Sequence, residues 1–277
     1  KIKVKFMTMS FLNMYCLDIF DDDYDKIKSL NYTPVGLGSD KFRDGWLRDN
    51  TGKNISHKNS FYGEYTFHYW FWKNKIDTID DNVWIGFCAY RRFWAQKLYV
   101  EKFLNKEDFL HTIPTEWKEN NVVLGQEIFM DRWTMMKIIK HGLKSFLANP
   151  KFFIKKNRNL QMHFDSFHGY GNLNKAIELL DSKEKSDFKD FMNNRNSFNR
   201  GNMFICKSKK LLKDYYESIF PWLLRCEKVF GFQNENYGTK RIYAFLAERY
   251  LAYWFNKYSN VIVWPIIFHN MNQNKIN

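Results

Sequence analysis

The chain has 277 residues, a formal charge of +13 and 19% aromatic residues, enough to fill a sizeable core in one large domain or one and a half. The positive charge runs along the whole sequence and points to polyanionic partners: a nucleotide, a phospholipid surface or nucleic acid. Nucleic acid comes last, because there is no RNP-like aromatic box, zinc-finger spacing or single basic helix; no apolar stretch is long enough to span a membrane, and no signal peptide is recognisable. The four cysteines, Cys16, Cys88, Cys206 and Cys226, are scattered and read as reduced, buried thiols of a cytosolic protein.

In chain order, Lys1–Met9 alternates Ile2, Val4 and Phe6 with lysines and predicts a first strand. Asp21-Asp22-Asp23 precedes a short helical segment, Tyr24–Leu30, where carboxylates suit a helix N-terminus better than they suit a metal. Tyr32–Gly38 reads as a strand entering a turn. Gly36 and Gly38 supply only part of a dinucleotide fingerprint, and no clear helix follows. Ser39–Lys58 is a long polar loop carrying Arg43, Arg48, Lys53, His57 and Lys58. Ser60–Asn74 predicts a buried helix, aromatic almost all round, in which Glu64 needs a partner: Arg91 or Arg92, or a ligand hydroxyl.

Val83–Ala89 is an unbroken apolar run, as expected of a strand covered on both faces. It switches abruptly to Tyr90-Arg91-Arg92. Two guanidiniums at the carboxyl end of a buried strand stand where open α/β sheets bind ligands, and they match phosphate geometry. The alternative is that both are solvated or paired with acidic neighbours. Glu101–Thr112 predicts a helix and Asn121–Gly125 a strand, from whose end Gln126 and Glu127 emerge. Met130–Phe153 is basic, aromatic and mostly helical to Ala148, suited either to an anionic lipid surface or to a solvated helix face.

His163-Phe164-Asp165-Ser166-Phe167-His168 precedes a helix at Leu173–Leu180, and an Asp beside two histidines suits a general base. Ser182–Asn202 reads as a polar loop, Gly201–Ile205 as a strand or buried edge, and Lys207–Val229 and Lys240–Tyr258 as amphipathic helices. Val261–Phe268 reads as an edge segment because of Pro265.

Several stretches together resemble a known family. Asp49–Ser56 resembles the signature L-R-D-N-T-G-D-N-I-S. Asn59–Asn74 is similar to N-x-x-Y-C-E-L-T-x-x-Y-W-x-W-K-N, and Ile85–Phe93 to I-G-x-C-H-Y-R-R-Y-F. Asn202–Ile205 with Tyr215–Glu227, and Arg241–Trp254, resemble the remaining motifs in the right order. These are marks of the DUF4422 family of bacterial glycosyltransferases, found among enzymes of capsule and lipopolysaccharide synthesis.

The resemblance implies an α/β, GT-A-like fold with a mixed, mostly parallel sheet. Residues 1–130 would bind the nucleotide-sugar donor. Residues 131–277 would form a mostly helical acceptor side, packed with the first part as one continuous unit. It implies sugar transfer from a nucleotide donor, with UDP the expected carrier, to a capsular or lipopolysaccharide glycan. Two positions depart from the family pattern: Ala89 replaces a His, and Gly63 stands where Cys is common. Most GT-A enzymes place a metal-binding Asp-x-Asp where this chain has Ala89-Tyr90-Arg91. Arg91 and Arg92 are therefore expected to neutralise the diphosphate, with Arg48 or Lys53 assisting; Mn²⁺ or Mg²⁺ remains the candidate cofactor. Tyr90, Asp49 and Asn50 would line the donor pocket, and Asp165 would be the base, with Glu127 and His168 as rivals. The expected location is cytoplasmic, at the inner membrane face where lipid-linked acceptors reside. The competing reading is a non-catalytic nucleotide-sugar or glycan-binding protein.

Overall fold

In a computed structural model of the chain, residues 11–81, 83–99, 105–132, 147–232 and 236–270 are described. The strand expected at Lys1–Met9 lies outside them. The strands in chain order are β1 (Phe11–Asp18), β2 (Thr33–Gly36), β3 (Leu47–Arg48), β4 (Val83–Ala89), β5 (Arg92–Trp94), β6 (Val122–Gly125), β7 (Glu127–Phe129), β8 (Ser197–Asn199), β9 (Phe204–Cys206), β10 (Val261–Trp264) and β11 (Ile266–Phe268). The central sheet runs β10-β6-β9-β4-β1-β2-β3, with β5 and β11 continuing from β4; β7 and β8 pair separately. Pairing is parallel for β1 with β2 and β4, for β2 with β3 and for β10 with β6; β9 is antiparallel to both β4 and β6. The sheet is therefore mixed, and it draws strands from both sides of residue 130.

The apolar run of β4 divides by parity, as a pleated strand must. Ile85 and Phe87 enter one hydrophobic cluster and Trp84 and Cys88 another, so both faces are covered. The first cluster is closed by α2 (Asn59–Tyr62) and α3 (Tyr65–Asn74) together with two long helices from the second half, α7 (Lys209–Phe230) and α9 (Ile242–Tyr258). The helix expected over Ser60–Asn74 is thus two helices. Gly63 separates them with φ 56° and ψ −135°, a conformation that only glycine adopts cheaply. α1 (Tyr24–Ser29) follows the acidic triplet as predicted, and β10 is the terminal strand of the sheet, in keeping with the edge expected before Pro265.

Two expectations are corrected and a third is extended. Ser182–Asn202 is not a loop: Ser182–Asn194 is a helix whose narrow buried stripe is Glu184, Phe188 and Met192. His163–His168 precedes a helix as expected, Asn172–Glu178, but is itself helical as well, within Leu160–His168, capped by Asn159 accepting from the Met162 amide. The helix expected over Glu101–Thr112 is absent from its described part. There, Asn105 and Asp108 close a single 3-10 turn, and Phe109 bridges back to Ala95. Residues 133–146, the interior of the basic aromatic stretch, lie outside the described residues. We label Leu160–His168 α4, Asn172–Glu178 α5, Ser182–Asn194 α6 and Tyr237–Lys240 α8.

Candidate active site

A cleft of about 1580 Å³ opens at the carboxyl ends of β1 and β4, where Leu17, Ala89 and Tyr90 form its floor. β7, α4, α8 and α9 supply its walls. Of the residues expected from sequence, Glu64, Tyr90, Arg91, Arg92, Glu127, Asp165 and His168 all line this one cleft. The tight turn after β4 is fixed by backbone bonds: the Tyr90 amide donates to Leu17 O (3.1 Å) and the His269 amide to Arg91 O (3.2 Å).

Arginines dominate the rim. Arg91 packs on the Tyr90 ring at 4.7 Å, and that ring meets Phe20 edge-on at 5.3 Å. Arg92 and Arg200 approach the Phe268 ring at 5.8 and 5.6 Å, and Arg132 lies 4.9 Å from the Phe129 ring. Arg43, Arg225, Arg241 and Arg249 are held in ion pairs. Arg91, Arg92, Arg132 and Arg200 thus bring positive charge to the cleft without a described carboxylate partner, and aromatic rings hold their planes.

The opposite wall carries the titratable groups. Asp165 accepts from the Gly171 amide at 3.2 Å, and burial pushes its carboxyl up to about 6 against the lowering effect of that amide and of Gln161. His168 stacks on Phe245 at 4.0 Å, and its Nδ1 lies 3.2 Å from Gly238 O. A carbonyl only accepts, so His168 carries its proton on Nδ1. His163 Nδ1 lies 3.0 Å from Arg249 Nη2. A guanidinium only donates, so this ring carries its proton on Nε2. Two histidines of one helix are therefore held in opposite tautomers. Burial first, and then the Arg249 charge, keeps both well below the usual imidazole range.

The long-loop motif has a different place. Arg48 donates to three carbonyls, Gly36 O (3.1 Å), Gly38 O (2.9 Å) and Asp40 O (2.8 Å). The fully buried Asp49 accepts from the Gly38 amide (2.9 Å) and the Thr66 hydroxyl (2.6 Å). Lys53 is tied through its backbone to Asn74, and Asn50 is exposed. None of the four lines the cleft. Glu64 is half-buried at the start of α3 and pairs with Arg241 at 3.6 Å, not with Arg91 or Arg92.

The end of β4 itself offers no carboxylate to a divalent cation. The residues there are Ala89, Tyr90 and Arg91, and among the described residues no three His, Cys, Asp or Glu side chains gather as cation ligands. Arg132, Arg200, Phe268, Glu248 and Arg249 also line the cleft, with no role legible in the sequence. Glu248-Arg249 lay inside a matched motif and Arg200 ended an Asn/Arg-rich run, so the residues were visible but their partners were not.

A mixed sheet with a ligand cleft at its carboxyl end and a helical cover is the GT-A-like α/β arrangement. The chain belongs to the family described as Domain of unknown function (DUF4422), whose model matches residues 19–260. A solved apo structure of WbbM, described as a bifunctional glycosyltransferase, is similar with a TM-score of 0.62 and 20% identity. The likeness covers 93% of this chain and 45% of that one, so the chain spans under half of that protein's length. No curated protein matches. No described helix is long and apolar enough to cross a membrane.

Proposed function

We propose that the chain is a glycosyltransferase that moves a sugar from a nucleotide donor, UDP-linked, to a capsular or lipopolysaccharide glycan. The observation that carries this reading is the row of arginines without described acidic partners at the end of β4, facing a wall that holds a buried carboxyl. Arg91 and Arg92, joined by Arg200, meet the diphosphate and stabilise the charge that develops as it leaves, without a divalent ion. Asp165 takes the proton of the acceptor hydroxyl. A carboxyl with a value of about 6 is mostly ionised at neutral pH yet more basic than an exposed aspartate. Tyr90 lines the pocket beside the leaving group. The acceptor is a glycan, lipid-linked at the membrane. Exposed Leu147, Phe153 and Ile154 beside Lys151, Lys155 and Lys156 support peripheral contact with anionic lipid.

The test is a thermal-shift panel of nucleoside diphosphates and UDP-sugars, each with Mn²⁺ and with chelator. A ligand that binds only the folded state raises the midpoint by mass action. The expected result is a rise with UDP that survives chelator; no rise with any nucleotide at millimolar concentration would overturn the donor reading. The role of Asp165 has its own signature. Turnover rises with pH as the carboxyl loses its proton and levels off above about 6. Asp165→Asn lowers turnover by about 10²–10⁴-fold while leaving UDP affinity unchanged. Unchanged turnover in that variant removes Asp165 from the mechanism.

A second reading, a non-catalytic binder, draws on the exposed aromatic rings of Tyr237 and Phe268 in the same cleft, which suit stacking on sugars. Slow release of UDP from a bound UDP-sugar separates the two, since a binder releases none.

A further inference from the structure

Glu248 lines the cleft with its side chain 14% exposed, at the head of a continuous chain of contacts. One carboxylate oxygen accepts from the Gly201 amide at 2.6 Å and the other from Arg249 Nη1. Arg249 is fully buried, lies 3.9 Å from the Phe198 ring and continues to His163. Gly201 has φ +88°, and a Cβ placed on it would lie 3.8 Å from Arg92 Nη1. The backbone that holds Glu248 therefore also abuts the arginine assigned above to the diphosphate. In a nucleotide-sugar the transferred sugar is bonded directly to the diphosphate, so a carboxylate held beside the backbone that abuts Arg92 is a candidate to reach that sugar.

A buried guanidinium needs a counter-ion, and Glu248 serves as one for Arg249. That need alone would be met as well by a carboxylate sealed in the core. Glu248 instead stands at the cleft wall and is fixed from two sides, and a carboxylate offers more acceptor sites than these two bonds fill. Sugar hydroxyls are the matching donors. We propose that Glu248 is a donor-sugar residue, accepting from hydroxyls of the transferred sugar beside the diphosphate, and that Arg249 and the Gly201 amide are positioning groups that hold it there. The proposal rests on the donor reading given above and extends it from the diphosphate to the sugar.

The experiment compares the affinity of UDP with that of the tightest-binding member of a panel of UDP-glucose, UDP-galactose and UDP-N-acetylglucosamine, by titration calorimetry. It uses the wild type, Glu248→Gln, and the double variant Glu248→Gln with Arg249→Gln, which removes both charges together. Glu248→Gln is expected to bind UDP within twofold of wild type and to bind the UDP-sugar about tenfold to hundredfold more weakly, the loss typical of a hydrogen bond to a charged group. In the double variant that selective loss persists. If Glu248→Gln unfolds, and so loses UDP as well, the double variant, with no unpaired charge, carries the comparison. Wild-type affinity for the UDP-sugar in either variant overturns the proposal and leaves Glu248 as the counter-ion of Arg249. Failure of the wild type to bind UDP is a different result: it overturns the donor reading itself, and the sugar assignment falls with it.

Discussion

Two basic motifs of this chain both carry arginine and differ in what that arginine meets. In the loop before α2, Arg48 spends its guanidinium on three backbone carbonyls, and Asp49 spends its carboxyl on an amide and a hydroxyl. After β4, Arg91 in the turn and Arg92 at the start of β5 lie against aromatic rings and bring charge to a cleft. Both regions match the family signature, and both attract a functional reading from sequence. What divides them is whether the polar atoms already have partners inside the protein. A satisfied arginine is a structural tie, whereas an arginine without an internal partner is available to a ligand.

The comparison can be broken most directly at the cleft. Replacing Arg91 and Arg92 together with alanine is expected to weaken UDP binding by at least about 100-fold, from the loss of two charge-assisted contacts. The same variant should keep its unfolding free energy to within about 0.5 kcal/mol per site, as surface changes do. A large drop in melting temperature would place these arginines with Arg48. At the loop the expectation inverts. Asp49→Ala leaves the Gly38 amide and the Thr66 hydroxyl without their carboxylate, costing about 3 kcal/mol in a denaturant titration, while the folded fraction binds UDP normally.

Protonation sharpens the same contrast. His68 is fully buried on α3, hydrogen-bonded to the Tyr216 hydroxyl, and burial holds it down at about 3. An unfolded chain binds that proton near pH 6.5, so between the two values the unfolded state holds more protons and stability is lost as pH falls. From pH 7 to pH 5 the wild type should lose about 2 kcal/mol more than His68→Phe. Parallel pH curves for the two proteins would refute this. Asp165 belongs to the cleft, so its proton should be read in turnover, where activity grows as pH rises.

Much of the fold was legible because burial writes itself as pattern. Val83–Ala89 could be placed as a two-faced strand from its unbroken apolar run, and the ends of Lys209–Phe230 and Ile242–Tyr258 lay within a few residues of expectation. The Ser182–Asn194 helix was hidden because its buried stripe is one residue wide, and one member, Glu184, is charged. That carboxylate is satisfied by Tyr253, Tyr258 and Lys257 far along the chain. Phe11–Asp18 escaped for the opposite reason: Asn13 interrupts its apolar run, and the alternation of Lys1–Met9 drew the first-strand reading instead. In the cleft, residue types were legible and partners were not. The pairing of Glu64 with Arg241, or of Glu248 with the Gly201 amide, is a property of the folded surface alone.

The place of β9 in the sheet has a consequence for how the chain can be made. Ile85 pairs with Cys206 and Val122 also pairs with Cys206, so among the described residues β4 and β6 are joined through a strand synthesised long after both. β10 joins the same sheet still later, through Val261 with Val122. A nascent chain emerging from the ribosome therefore waits with β4 and β6 unjoined, their apolar edges open to pairing with other chains, until residues near 206 appear. Such long-range closure predicts slow folding and a strong dependence of soluble yield on temperature and on chaperones that shield unpaired strands.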